Sequence, residues 1–138
     1  MSHAHSRTRQ RAAFEHLLAR FDASTAESTP QRWRYLEAAH VLAQNRYSFL
    51  LHWRAHWKML QFARTLKDDY EVRGQLGHLL MTPISHLVRF VPPGNTGRAV
   101  MPAMQPMVPS PQVRECIAEA MAATDPAAPA TSAHPGQT

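Results

Sequence analysis

The chain has 138 residues, of which 44% are hydrophobic, and its formal net charge is +5 at pH 7. This length and composition fit one globular domain with short tails. The single cysteine, Cys116, excludes an intramolecular disulfide and a cysteine-rich zinc site. Because no secretory pattern and no run of about 20 apolar residues is present, we expect a cytoplasmic protein without a membrane span. The basic residues are scattered, which argues against nucleic acid as a partner.

Apolar periodicity predicts three helices in the first half of the chain. The first is expected over 7–22, where four apolar residues share one face (Phe14, Leu17, Leu18 and Phe21). Thr29 is the predicted cap of the second helix, because threonine is a common N-cap and Pro30 suits the first helical position. This helix is expected to end near Gln44, and the third is expected to span 47–66.

The second half is predicted to continue with a helix and a short helical segment. Asp68 or Asp69 is expected to cap a fourth helix that ends near Met81. Because Pro83 follows, residues 84–91 are expected to form a separate short segment.

An irregular strap is predicted over 92–110, because prolines alternate there with apolar side chains. We expect the methionines of the strap to pack on the helices (Met101, Met104 and Met107). Ser110 and Pro111 then open a last helix, since serine is a strong N-cap and proline favours the first helical turn.

The predicted fold class is all-α, because no segment alternates as a strand does. We expect a compact domain of five or six helices, built on an antiparallel hairpin of the second and third helices. The expected organisation is a disordered N-terminus over 1–6, one helical domain over 7–122 and a disordered Ala/Pro-rich tail over 123–138.

Two short patterns give the strongest functional signal: Glu37 and His40 in the second helix, and His52 and His56 in the third. Their i,i+3 and i,i+4 spacings place each pair on one helical face. Helical projection puts His52 and His56 at the centre of an apolar arc, and His40 on the apolar side of its own helix. If the two helices pack antiparallel, His40 faces the other two histidines.

One carboxylate and three imidazoles form a ligand set that transition metals take in proteins. Glu37 also needs a partner, because an unpaired buried carboxylate is costly. The predicted ligands of one zinc, iron or copper ion are Glu37, His40, His52 and His56. Further ligands or supporting groups could come from four polar residues (Gln44, Glu71, Gln75 and His78). The alternative is a hydrogen-bonded polar cluster that holds no metal.

The segment from Gly94 to Arg98 looks like a phosphate loop, but it lacks the length and the lysine of one. A structural turn is the prediction instead. Gly94 and Gly97 would supply positive φ angles, and Asn95 would tolerate the left-handed region. Arg98 is expected to pair with a carboxylate such as Glu71.

Five blocks follow one another in a specific order within about residues 10–118: 36–44, 52–60, 71–75, 93–98 and 105–107. In this order they resemble a small bacterial family known as domain of unknown function 3703. The resemblance implies a small, helical, soluble bacterial protein and supplies no activity. It also implies that the pairs Glu37/His40, His52/His56 and Glu71/Gln75 belong to the recurring pattern of the family.

The predicted function is the binding of a transition metal, in metal handling or sensing. The alternative is a metal-free, tetratricopeptide-like interaction module, because the first helical hairpin carries Trp33 and Leu36 at suitable spacing. The sequence has no catalytic motif and no second Glu-x-x-His pattern, so binding is favoured over catalysis. A protein partner and the oligomeric state are left open.

Overall fold

The computed structural model describes residues 2–44, 48–88, 94–100 and 107–127, and these ranges form five α-helices without a strand. The helices are α1 (Ser2–Ala23), α2 (Thr29–Ala43), α3 (Phe49–Thr65), α4 (Asp69–Leu87) and α5 (Pro111–Ala123). The predicted all-α class is confirmed. Within these ranges, no helix is both long enough and apolar enough to cross a membrane.

The hydrophobic core lies between α1, α2, α3 and α5. All four apolar residues predicted for the inner face of the first helix are buried in it. At its centre, the ring of Phe62 on α3 lies 5.0 Å from that of Phe21 and 4.9 Å from that of Trp33. Trp33 thus meets the end of α3, whereas His40 meets its beginning, at His52. The helices α2 and α3 therefore run antiparallel, as predicted.

Three helices begin at a side chain that caps a backbone N–H group. Ser28, Asp68 and Ser110 each accept a hydrogen bond from the backbone N–H three residues further on. The predicted caps of α4 and α5 are thereby confirmed. The predicted Thr29 cap is wrong, because Ser28 has the extended conformation of a cap and Thr29 already lies in the helix.

The ends of the domain differ from their predicted positions. α1 begins at Ser2 rather than at residue 7, so residues 2–6 continue the helix. No glycine or proline interrupts this stretch, and extending an existing helix is far less costly than starting one. At the other end, α5 stops at Ala123, and the predicted tail beyond residue 127 lies outside the described residues.

α4 differs most from its prediction. Instead of ending near Met81 before a separate segment over 84–91, it is one helix with Pro83 inside. An internal proline removes a backbone hydrogen bond and costs about 3 kcal/mol. Beyond the proline the helix is held by tertiary contacts with α3, one of which joins Nε2 of His86 and Nδ1 of His52 at 2.9 Å. Residues 89–91 are outside the described part of the chain.

The predicted strap is described over 94–100 and 107–110, and neither part contains a helix or a strand. These two parts touch, because a Cβ atom on Gly94 would lie 1.6 Å from the carbonyl oxygen of Met107. Met107 is half-buried, whereas Val108 is exposed. The predicted packing of Met101 and Met104 concerns residues outside the described ranges.

Candidate metal centre

Three buried histidines from two helices meet at one point. His40 comes from α2, and His52 and His56 come from adjacent turns of α3; none is more than 5% exposed. Nε2 of His40 lies 3.0 Å from Nε2 of His52 and 3.1 Å from Nε2 of His56. One nitrogen from each ring lies within 4.8 Å of the others, which is compatible with a shared metal ion. We call these three residues the histidine cluster.

The second ring nitrogen of each histidine has a partner of its own. Nδ1 of His40 donates to the backbone carbonyl of Asn95 at 2.8 Å. Nδ1 of His56 donates to Oε1 of Gln75, also at 2.8 Å. Nδ1 of His52 meets the His86 ring described above. Such contacts fix the orientation of a metal-binding imidazole and leave Nε2 to face the ion.

Gln75, which is fully buried, determines where the hydrogen of His56 resides. Its Nε2 donates to Oε1 of Glu71 at 2.8 Å and to the carbonyl of Gly97 at 2.7 Å. These two acceptors orient the amide, so its oxygen faces His56 and can only accept. His40 faces a carbonyl oxygen in the same way. In their neutral forms, both rings therefore carry hydrogen on Nδ1 and a lone pair on Nε2.

The surroundings keep the cluster neutral. Burial, followed by the nearby His56 and His52, lowers the pKa of His40 well below 6.5. Burial, with His52 and His78, lowers the pKa of His56 well below the same value. For His52, burial and the adjacent His86 and His78 lower the pKa to about 3. An additional proton is therefore disfavoured where the Nε2 atoms meet, because a charged imidazole would lose its hydration.

Glu37, predicted as the fourth ligand, has a different partner. Its Oε1 lies 3.2 Å from Nη1 of Arg98, and Nε of Arg98 lies 3.2 Å from Oε2 of Glu71. The guanidinium also stacks on Trp33, with Cζ 3.7 Å from the ring centroid. The predicted pairing of Arg98 with Glu71 is thus present. The same arginine meets the requirement of Glu37 for a partner, so Glu37 is not among the residues that converge with the histidines.

The four polar residues predicted to support the site surround the histidine cluster. Gln75 and, behind it, Glu71 hold His56. Gln44 donates from Nε2 to the same Asn95 carbonyl that His40 uses. The ring of His78 packs edge-on against His56, with centroids 4.9 Å apart. These residues act on the orientation and environment of the cluster, and neither Glu71 nor His78 belongs to the group of converging ligand atoms.

A small cavity adjoins the cluster between α3, α4 and the loop after α4. Its volume is about 30 Å³. Besides the three histidines, it is lined by polar groups that include Gln44, His78, Thr82 and Ser85. A polar cavity of this size has room for about one water molecule or a ligand of similar size.

The loop over 94–98 closes the cluster on the side of α2. Gly97 has φ +78°, and a Cβ atom there would lie 2.8 Å from Nε2 of His40. Glycine is required by both the backbone angle and this close approach. Gly94 also has a positive φ, as predicted, but the prediction for Asn95 is wrong, because Lys67 is the one non-glycine residue with positive φ in the described chain. Asn95 instead caps the turn by accepting from the Gly97 N–H.

A family model described as "Protein of unknown function (DUF3703)" matches residues 8–117 of the chain. The chain belongs to the DUF3703 family. The matched region contains the histidine cluster and agrees with the resemblance found in the sequence blocks. Neither a curated protein nor a solved structure matches the chain significantly.

Two contributors to the site within the DUF3703 region are not predicted by the sequence patterns. His86 is missed because Pro83 seemed to end α4; since the helix continues, His86 lies 11 residues after Gln75, which is three turns, and shares its face. Asn95 contributes a backbone carbonyl, and a sequence carries no signal for the direction of a carbonyl group.

Proposed function

We propose that this DUF3703 protein binds one transition-metal ion through Nε2 of His40, His52 and His56, and that its role is metal handling or sensing. The observation that carries this proposal is the short contact between Nε2 of His40 and Nε2 of His56, at 3.1 Å. Each of these atoms presents a lone pair, since the hydrogen of each ring is used at Nδ1.

A metal-free network is disfavoured because it leaves this contact without a hydrogen. The contact between His40 and His52 could contain one, if His86 donates to Nδ1 of His52 and the His52 hydrogen resides on Nε2. No such arrangement exists for His40 and His56, because both Nδ1 atoms face oxygen acceptors. A cation that accepts both lone pairs converts this repulsion into two bonds.

The spacing of the two nitrogen pairs that include His40 supports the same conclusion, and all three nitrogens lie within 4.8 Å of one another. With metal–nitrogen bonds of about 2.0–2.1 Å and bond angles of about 90–109°, two ligand nitrogens lie about 2.8–3.4 Å apart. The two contacts of His40, at 3.0 and 3.1 Å, fall within this interval. Three protein ligands leave a further position, which the adjoining polar cavity can supply with water or another small ligand.

The donor set favours zinc, iron or copper. Imidazole suits these metals, whereas calcium and magnesium prefer oxygen ligands. The single cysteine, Cys116, lies on α5 with the hydrophobic core around it and is not part of the group. An all-nitrogen site that holds the metal by three residues fits a protein that carries or senses an ion.

The proposal is tested by elemental analysis of untagged protein purified without added metal, followed by calorimetric titration of chelated protein with Zn²⁺, Cu²⁺ and Fe²⁺. We expect about one ion per chain for at least one of these metals. The double variant His52→Ala/His56→Ala should lose this binding.

The matched control is His3→Ala/His5→Ala, which removes two exposed histidines from α1 and with them any binding by the N-terminus. This control should titrate like the wild type. The proposal is contradicted if the wild type takes up none of the three metals, or if a folded His52→Ala/His56→Ala variant binds as the wild type does. Circular dichroism establishes that the variant is folded.

A further inference from the structure

The helix α4 has an apolar face that is exposed. Leu76, Leu80, Ile84 and Leu87 are 53%, 71%, 48% and 84% exposed, respectively. At 100° per residue they fall within about 80° of arc, so they form one stripe along the helix. We call these four residues the apolar face of α4.

The opposite side of α4 is buried and polar. Its buried residues are Glu71, Gln75, Thr82 and Ser85, with Leu79 as the one apolar residue among those described as buried. The helix packs mainly against α3. None of its fully buried residues belongs to the hydrophobic core between the other four helices, against which its half-buried Val72 packs. A surface helix normally buries its apolar side and exposes its polar side. α4 does the reverse, because its polar side serves the histidine cluster.

The apolar face carries no charge that would select a charged partner. From Gly74 to Val88 the sequence contains no Asp, Glu, Lys or Arg. Gly77 is exposed beside Leu76, at one edge of the apolar face, and a Cβ atom there would meet nothing within 4 Å. A small residue there leaves room for a partner to approach the helix backbone closely. An uncharged apolar stripe with a glycine at its edge is complementary to a copy of itself.

The exposed area is comparable with what one partner contributes to a standard interface. The apolar face leaves on the order of 450 Å² of apolar surface in water, which already equals the largest patch of a typical monomer. Tyr70, Met81 and Val88 are also exposed and lie on one flank of the face. With them the area reaches roughly 800 Å², which is the share of one partner in a standard interface.

We propose that two copies of this chain associate through α4, with the apolar face of one protomer packed on that of the other about a two-fold axis. A membrane surface fits less well, because interfacial helices present Lys and Arg on their polar side to the headgroups, and the polar side of α4 is buried against α3. The interface would lie behind Gln75 and His86, so that two metal centres would flank it.

The test is light scattering after size-exclusion chromatography of the full chain at concentrations up to about 100 µM, which detects dissociation constants in the micromolar range. The wild type should have a mass of about 31 kDa, twice the 15.6 kDa of one chain. Leu80→Glu should elute as a monomer, because it places a charge in the centre of the apolar face. The matched control Val108→Glu, at an apolar residue that is 80% exposed on the strap, should remain a dimer.

A second variant keeps the proposal testable if Leu80→Glu does not fold. Leu80→Cys in a Cys116→Ser background places one thiol per protomer near the middle of the apolar face, and a short bis-maleimide should join two chains. A monomeric wild type, a dimer that Leu80→Glu leaves intact, or a lack of cross-linking at Leu80→Cys would overturn the proposal. Monomers that co-sediment with lipid vesicles would also overturn it, in favour of a membrane surface.

Discussion

Replacement of Gln75 by leucine tests how the histidine cluster is held. Gln75 makes three hydrogen bonds in the buried interior: it accepts from Nδ1 of His56 and donates to Glu71 and to the carbonyl of Gly97. Leucine has a similar volume and makes none of them. The variant therefore leaves the ring N–H of His56 without a partner. It also removes one hydrogen bond from the Gly97 carbonyl and one from Oε1 of Glu71, which still accepts from the backbone N–H of Ala99.

The expected loss of stability follows from these three groups. The unpaired ring N–H costs about 1–3 kcal/mol, the two lost hydrogen bonds together cost about 2–4.5 kcal/mol, and the buried leucine returns about 1.5–3 kcal/mol. At the centre of these ranges, Gln75→Leu lowers the free energy of unfolding by about 3 kcal/mol. Because Gln75 also orients the metal-facing ring of His56, the affinity for metal should fall by about 10- to 100-fold.

Urea unfolding of chelated protein measures the first effect, and calorimetric titration with Zn²⁺ measures the second. Gln61→Leu, at an exposed position of α3, is the control for glutamine replacement and should change neither quantity. Gln75→Glu should keep more of the affinity than Gln75→Leu, because a carboxylate still accepts from His56. Gln75→Leu could instead have the unfolding free energy and the zinc affinity of the wild type. In that case the hydrogen bonds that assign the tautomer of His56 are not formed, and a lone pair at Nε2 of His56 no longer follows.

Three further outcomes are expected. Gly97→Ala should weaken metal binding by at least about tenfold and lower the melting temperature, because the Cβ atom of the alanine would press on His40. Titration and thermal melting measure these effects, and an unchanged affinity would contradict the close approach of Gly97 to His40. Arg98→Met should lower the free energy of unfolding by about 3–5 kcal/mol at pH 7, since Glu37 and Glu71 lose their cation. Burial already raises the pKa of Glu37, and loss of the opposing arginine raises it further. The stability difference between Arg98→Met and the wild type should therefore shrink as the pH falls from 7 toward about 5. Urea unfolding at both pH values measures this difference, and a constant difference would contradict the prediction. Chelation of the metal should speed amide hydrogen exchange in α4 and in the 94–100 loop by about tenfold or more and leave α1 unchanged. The reason is that α4 is joined to the histidine cluster by polar contacts rather than by the core. Equal exchange rates in the metal-bound and chelated protein would refute this.

The features that could be predicted from the sequence depend on local periodicity. His40, His52 and His56 lie on apolar helix faces, and the burial of such faces brings the rings into the interior. The antiparallel hairpin follows in the same way. The caps of α4 and α5 are also local, since each depends on a side chain and an N–H three residues away.

The parts that could not be predicted depend on contacts between distant residues. Glu37 is paired with Arg98, 61 residues later, and nothing in the helical pattern distinguishes this partner from the nearer histidines. Pro83 is a helix breaker by propensity, but α4 packs along α3 on both sides of it, and the contact of His86 is one part of that packing. The exposed apolar face of α4 is a further case. A leucine stripe predicts a buried face, but here the opposite face is buried because it contacts a polar site.

X-ray absorption spectroscopy of the protein loaded with one equivalent of Zn²⁺ identifies the atoms that bind the metal. Binding at the histidine cluster should give three imidazole nitrogens at about 2.0–2.1 Å from the zinc, with the multiple-scattering signature of histidine rings. The His3→Ala/His5→Ala control should give the same spectrum, because its histidine cluster is intact. A first shell of oxygen ligands with fewer than two imidazoles, or a spectrum that His52→Ala/His56→Ala leaves unchanged, would contradict binding at the histidine cluster.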